Sequence, residues 1–229
     1  MTKRNEIAAV LFDMDGLMFD TESIAFKAWK YAGEQSGFPL PDALILQIAG
    51  NNLKGTQVLL ENTMGTDFDF HYVRQFRLQY AAEYIEKYGV PIKKGLFELL
   101  DVLEQFAIPK AVATSTDRVR AENLLVKTNI FKRFNTVICG DEIENGKPAP
   151  EIFLVAADKL DTDPAQCIVL EDSEAGIRAA AAAQMRSFLV PDMKMPSDEV
   201  MKMVSHIFSD LSEVAAYFNG NYSSTASKI

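Results

Sequence analysis

Asp13 and Asp15 stand two residues apart at the end of the apolar run Ile7-Ala8-Ala9-Val10-Leu11-Phe12, and Gly16 follows at once. The run is short, uninterrupted and apolar on both faces, as a strand buried in a parallel sheet should be. On a continuing strand the two carboxylates share a face, and the glycine permits an abrupt turn just after them. Carboxylates held that close repel each other, so the site needs either a shared proton or a cation. Hard divalent ions such as Mg2+ prefer such oxygens. Taken alone, Asp-x-Asp-Gly is equally a solvated turn, and the rest of the chain has to supply the context.

Three further clusters repeat the arrangement of strand end and polar group. Thr114-Ser115-Thr116-Asp117 closes the run Pro109-Lys110-Ala111-Val112-Ala113 and opens a helix. Its hydroxyls and the free amides of the helix start could hold an anion, while ordinary capping by Ser115 or Thr116 is the plainer use of the same residues. Lys147 lies in Gly146-Lys147-Pro148-Ala149-Pro150, a stiff loop before a helix, where it can neutralise a phosphate or an acidic cluster. Glu171-Asp172-Ser173 ends the run Ile168-Val169-Leu170, with Ser173 as the expected cap of the alanine-rich helix that follows.

What brings these clusters together is the order of elements. Strands are expected at 109–114, 136–139, 167–170 and 186–190, separated by helices at 117–128, 149–160 and 174–183. Strand 206–208 and a last helix near 210–218 extend the series. This alternation specifies an α/β fold, a Rossmann-like parallel sheet with helices on both faces. In such a sheet every strand's C-terminal end comes to one edge, where ligands bind. Asp13, Asp15, Thr114, Lys147, Glu171 and Asp172 then converge.

A crossover between neighbouring parallel strands needs little more than a dozen residues. Here about ninety-five separate Asp13 from the next convincing strand, and the intervening segment reads as helices, so an all-helical cap is inserted after the first strand. The expected division is a discontinuous catalytic core of residues 1–17 and 93–219, a helical cap of 18–92, and a flexible polar tail of 220–229. Two connecting segments, near 16–20 and 89–95, are expected hinges through which the cap closes during reaction and opens for exchange.

The formal charge of −9 argues against nucleic-acid polymers and anionic membranes as partners. No stretch approaches the length of a membrane span. Cys139 and Cys167 each fall in a short apolar run and read as buried thiols, which suits a cytoplasmic protein. A monomer is expected.

With all four clusters in order, the sequence resembles the haloacid-dehalogenase-like hydrolases, in particular the branch of phosphatases and β-phosphoglucomutase-like enzymes with a small helical cap. Asp13-Met14-Asp15-Gly16, Thr114, Lys147-Pro148 and Glu171-Asp172 match the family's four motifs, and the similarity runs over most of residues 7 to 192. The resemblance implies that Asp13 is the nucleophile that becomes an aspartyl-phosphate and that Asp15 protonates the leaving oxygen and then activates water. By the same resemblance Thr114, Ser115 and Lys147 bind the phosphoryl group, and Asp13, Asp15 through its carbonyl and Asp172 hold Mg2+, with Glu171 close by or acting through water. The implied activity is hydrolysis of a small phosphorylated metabolite, a sugar phosphate or a nucleoside monophosphate. A phosphohexose mutase is the alternative, and a non-catalytic binding module on the same fold a third reading. Ala25 stands where the mutase pattern has a cap histidine before Phe26-Lys27-Ala28-Trp29, and Asn51-Asn52-Leu53 where it has a cap arginine, which favours hydrolysis. Lys27, Arg74 and Arg77 are the cap cations left to a mutase's second phosphate site.

Overall fold

A computed structural model describes residues 7–51 and 53–226, and the residues divide into two compact units, one of Met1–Phe19 with Ile92–Ile229 and the other Asp20–Pro91. The first unit contains a sheet of β1 (Ala9–Phe12), β2 (Lys110–Ala113), β3 (Thr136–Ile138), β4 (Cys167–Glu171), β5 (Arg186–Leu189) and β6 (His206–Ile207). All neighbours are parallel in the order β3-β2-β1-β4-β5-β6, so the chain crosses from one side of β1 to the other between β3 and β4. The C-terminal end of β1 lies at that reversal, the place where an open sheet leaves a crevice between diverging loops.

The helices of this unit are α5 (Leu96–Gln105), α6 (Arg118–Lys127), α7 (Glu151–Lys159), α8 (Glu174–Ala182), the short α9 (Asp198–Met201) and α10 (Leu211–Ala226). Ala9 and Leu11 of β1, Ala111 and Ala113 of β2 and Val169 of β4 point to one face, where they bury Phe153 and Ala156 of α7 and Ala179 and Ala180 of α8. The alanines on both sides allow close helix–sheet approach. On another part of the sheet, Phe188 of β5 meets Tyr217 of α10 edge to face.

The last helix differs from the expected 210–218 with a flexible tail beyond it. Asn219-Gly220-Asn221 reads locally as a stop, yet the helix runs on to Ala226. Tyr222 supplies the reason: its ring packs on Phe106 and Phe218, and its hydroxyl donates to the Ile7 carbonyl at 3.0 Å and accepts from the Ile7 amide at 3.2 Å. A contact to residue 7 is invisible to local propensity.

The second unit is all-helical: α1 (Thr21–Ser36), α2 (Asp42–Ile48), α3 (Leu53–Met64) and α4 (Phe70–Tyr88). Asp20 and Asp69 cap α1 and α4 by accepting from Ser23 N and Tyr72 N. Trp29, Ala32, Ile45, Leu60, Phe70 and Val73 belong to a separate apolar core. The unit's borders, 20 and 91, fall slightly inside the expected 18 and 92 because the linkers belong to the sheet unit. There Phe19 bridges Ile92, and the Lys93 amide donates to the Met18 carbonyl at 3.0 Å. Among the described residues no helix is long and apolar enough to cross a membrane.

Candidate active site

Asp13 directly follows β1, and its amide continues the ladder by donating to the Leu170 carbonyl of β4 at 3.0 Å. The chain then turns tightly. Gly16 takes a φ of 85°, its amide donates to the Phe19 carbonyl, and the Met18 amide donates to the Met14 carbonyl. This loop leaves the Asp13 carboxylate buried at the sheet edge.

The buried Lys147 ammonium lies beside it and donates to Asp13 Oδ1 at 2.5 Å and to Glu171 Oε1 at 2.6 Å. Glu171 Oε2 is held by the amides of Asp172 and Ser173, each at 3.0 Å, and by the Ser173 hydroxyl at 2.9 Å. The Ser173 oxygen in turn accepts from the Gly176 amide and so caps α8. Gly176 has to be glycine here, since a Cβ would fall 1.7 Å from Glu171 Oε1. One stretch of sequence thus fixes both a helix start and the carboxylate that steadies Lys147.

A single ammonium faces two buried carboxylates, and the electrostatics reflect the imbalance. Burial pushes the Asp13 carboxyl up to about 8, with Lys147 opposing the rise and Glu171 and Asp15 adding to it. Burial acts against the charge on Lys147, but Asp13 and Glu171 outweigh it and hold its pKa above the ordinary lysine value.

Asp15 reaches the loop after β2. Its Oδ2 accepts the Thr116 hydroxyl at 2.7 Å and faces the Thr114 hydroxyl at 3.4 Å, and the Thr114 oxygen accepts the Thr116 amide at 3.1 Å. Thr114 is therefore oriented toward Asp15, whereas the exposed Ser115 presents its carbonyl to Gly140, where a Cβ would come within 2.3 Å of it. Neither Ser115 nor Thr116 caps the next helix. Asp117 does, accepting from the Arg120 amide at 3.0 Å, and so leaves the Thr116 hydroxyl for Asp15.

Asp172 is buried on the other side of the Asp15–Gly16 loop; a Cβ on Gly16 would lie 2.3 Å from its Oδ2 and 3.2 Å from Asp192 Oδ2. Asp192 pairs through Oδ1 with Lys93 at 2.6 Å, and its Oδ2 is buried without a hydrogen-bond partner. These observations fit a bound cation: a carboxyl raised to about 8 by burial and like charge, a carboxylate pressed against the backbone after Asp15, and an orphaned oxygen nearby. Among the described residues no three His, Cys, Asp or Glu side chains form a ready cage. Of the expected ligands, Glu171 has its oxygens engaged by Lys147 and amides, while hydroxyls engage the Asp15 carboxylate and not the carbonyl expected to face the ion. Asp13, Asp172 and a main-chain carbonyl remain, which suits an ion that keeps several waters and takes few protein ligands.

The sequence offers Thr116 as an anion-holding hydroxyl or a helix cap, not as a partner of Asp15, and gives no signal for Asp192, which stands in Val190-Pro191-Asp192 with no motif around it.

A model of the haloacid dehalogenase-like hydrolase family matches residues 10–190. A phosphorylated carbohydrates phosphatase of Thermotoga maritima is 33% identical over 178 residues, 76% of this chain and 81% of that protein. The fructose-1-phosphate phosphatase YqaB of Escherichia coli is 30% identical over 181 residues, 78% of this chain and 93% of its own length. Among solved structures, the β-phosphoglucomutase of Clostridium difficile superposes with a TM-score of 0.76 at 23% identity, covering 97% of this chain and 100% of that one.

Replacing Lys147 with Met removes the ammonium bonded to two buried carboxylates and should lower stability by about 3–5 kcal/mol in denaturant unfolding. A loss under about 1 kcal/mol would contradict the arrangement. The Asp13 shift carries a sign that can be checked in chelator. Its carboxyl ionises near 4 when unfolded and near 8 when folded, so between those values the folded state holds more protons and stability falls as pH rises. The Asp13→Asn variant cannot titrate, and its stability should decline less between pH 5 and 8, about those limits, than the parent's. Parallel slopes would show that Asp13 is not the group responsible.

Proposed function

Because the chain belongs to the haloacid dehalogenase-like hydrolases, we propose that it is a Mg2+-dependent phosphatase that hydrolyses a small phosphomonoester through an aspartyl-phosphate on Asp13. The observation that carries this reading is the buried Lys147 held at hydrogen-bonding distance from both Asp13 and Glu171. Lys147 fixes one Asp13 oxygen and offers positive charge where a transferring phosphoryl group would gather its negative charge. Glu171 acts by holding Lys147 in place.

Asp13 attacks phosphorus as the ester bond breaks, and the protonated Asp15 carboxyl supplies a proton to the departing oxygen. In the second half Asp15 takes a proton from water as it attacks the same phosphorus, and the Asp13 carboxylate is released with inorganic phosphate. Asp13, Asp172 and the Asp15 carbonyl would hold Mg2+, which when bound offsets repulsion between the anionic nucleophile and the anionic phosphate. Thr114 and Lys147 flank the position of the phosphoryl group.

A sugar phosphate is the favoured substrate class, supported by the likeness to the phosphorylated carbohydrates phosphatase at 33% identity and to the fructose-1-phosphate phosphatase at 30%. The mutase likeness at 23% speaks of fold alone. Lys27 and Arg77, two of the cations left to a mutase, lie over the rings of Tyr84 and Trp29.

Phosphate release from fructose 1-phosphate and other sugar phosphates should require Mg2+, stop in chelator, and fall by at least about 1000-fold in Asp13→Asn. Mg2+ should also raise the melting temperature progressively with its concentration. Full turnover in chelator, or an Asp13→Asn enzyme within a few-fold of the parent, would remove this mechanism.

A further inference from the structure

The buried Oδ2 of Asp192 accepts no hydrogen bond from any described residue, and its place in the fold says what donor it lacks. The Val190 amide extends the β4–β5 ladder by donating to the Glu171 carbonyl at 2.8 Å. Asp192 therefore follows β5 at the same sheet edge to which β1 and β4 bring Asp13 and Asp172. Its Oδ1 is held by the Lys93 ammonium at 2.6 Å, which fixes the direction of the carboxylate. Its Oδ2 lies 3.2 Å from the point where a Gly16 Cβ would stand, and Asp172 Oδ2 lies 2.3 Å from that same point. Two carboxylate oxygens thus crowd one spot on the loop that carries Asp15. Burying a carboxylate oxygen without a donor is costly, so the missing partner has to come from outside the chain.

We infer that Asp192 is a positioning residue for the metal, accepting through Oδ2 from water bound to the ion while Lys93 holds the carboxylate by Oδ1. The inference rests on the Mg2+-dependent phosphatase reading, whose direct ligands do not include Asp192. Mg2+ takes few protein ligands and keeps several waters, and those waters are donors that need fixed acceptors. Lys93 already offsets the charge of Asp192, which suits it to accepting a hydrogen bond better than to direct ligation. Groups that orient a metal's ligands from outside the coordination shell contribute to affinity without touching the ion. The competing role for Asp192 is to anchor Lys93, whose amide also donates to the Met18 carbonyl. That role needs only Oδ1 and leaves the bare Oδ2 without a purpose.

Calorimetric titration of Mg2+ alone into metal-free protein, with no substrate present, separates the two roles. Asp192→Asn should bind Mg2+ about 10-fold more weakly than the parent, the lower end of the range for such outer groups. The same substitution should cost about 10-fold again when made in Lys93→Met protein, where the ion pair is already absent. Asp192→Glu, which keeps the charge but moves the oxygens by one methylene, should also bind more weakly, by more than about threefold. The melting temperature of each metal-free variant checks that it is folded. Mg2+ affinity of Asp192→Asn within about twofold of the parent would overturn the inference. So would a loss that disappears in the Lys93→Met background, which would leave Asp192 as an anchor for Lys93, or a glutamate variant that binds like the parent, which would reduce its effect to charge. A parent protein that takes up no Mg2+ would remove the metal-dependent reading itself, and this inference with it.

Discussion

The site depends on one ammonium between two buried carboxylates. Without Lys147, Asp13 and Glu171 would be uncompensated charges in a low-dielectric sheet edge, a situation that costs several kcal/mol. With it, they are still one positive charge short. Burial raises the Asp13 carboxyl to about 8, Glu171 and Asp15 add to the rise against the pull of Lys147, and the imbalance leaves the edge receptive to a second cation. On the proposed reading, the same excess charge that weighs on the folded state is what would draw a metal ion to the site, and the ion would then offset the charge of a phosphate.

Secondary structure serves this pairing at several removes. Gly176 brings the first turn of α8 against Glu171, and Ser173 joins the helix cap to the same carboxylate. Gly16, at positive φ, brings Asp172 against the loop carrying Asp15. Asp117 caps α6 and leaves Thr116 to Asp15. Each position has a local reason to be what it is, and each local reason also places a charged or hydrogen-bonding group of the site.

Much of this was legible in the residues. Short apolar runs ending in Asp13, Thr114 and Glu171 marked parallel strands, and the long helical stretch between the first two marked the inserted unit. Two things were not legible, for different physical reasons. The extension of α10 depends on Tyr222 meeting Ile7 and Phe106, a tertiary contact across almost the whole chain that outweighs the local Asn-Gly-Asn stop. The division of labour inside the site depends on which oxygen accepts which donor. Glu171 and Asp172 are adjacent in sequence, yet one is bound to Lys147 and the other lies against Gly16. Likewise the choice among Ser115, Thr116 and Asp117 as helix cap turns on backbone angles that residue types alone leave open.

The central claim is that the oxygen bonded to Lys147 belongs to the residue that carries the phosphoryl group. Acid quenching during turnover of a sugar phosphate, borohydride reduction and peptide mass spectrometry would locate it, since an acyl phosphate is reduced to an alcohol and leaves homoserine in place of aspartate. The account predicts that conversion at Asp13 alone, dependent on substrate and absent in the Lys147→Met enzyme. Conversion at Asp15 or Asp172, or none at all under conditions of rapid phosphate release, would contradict it.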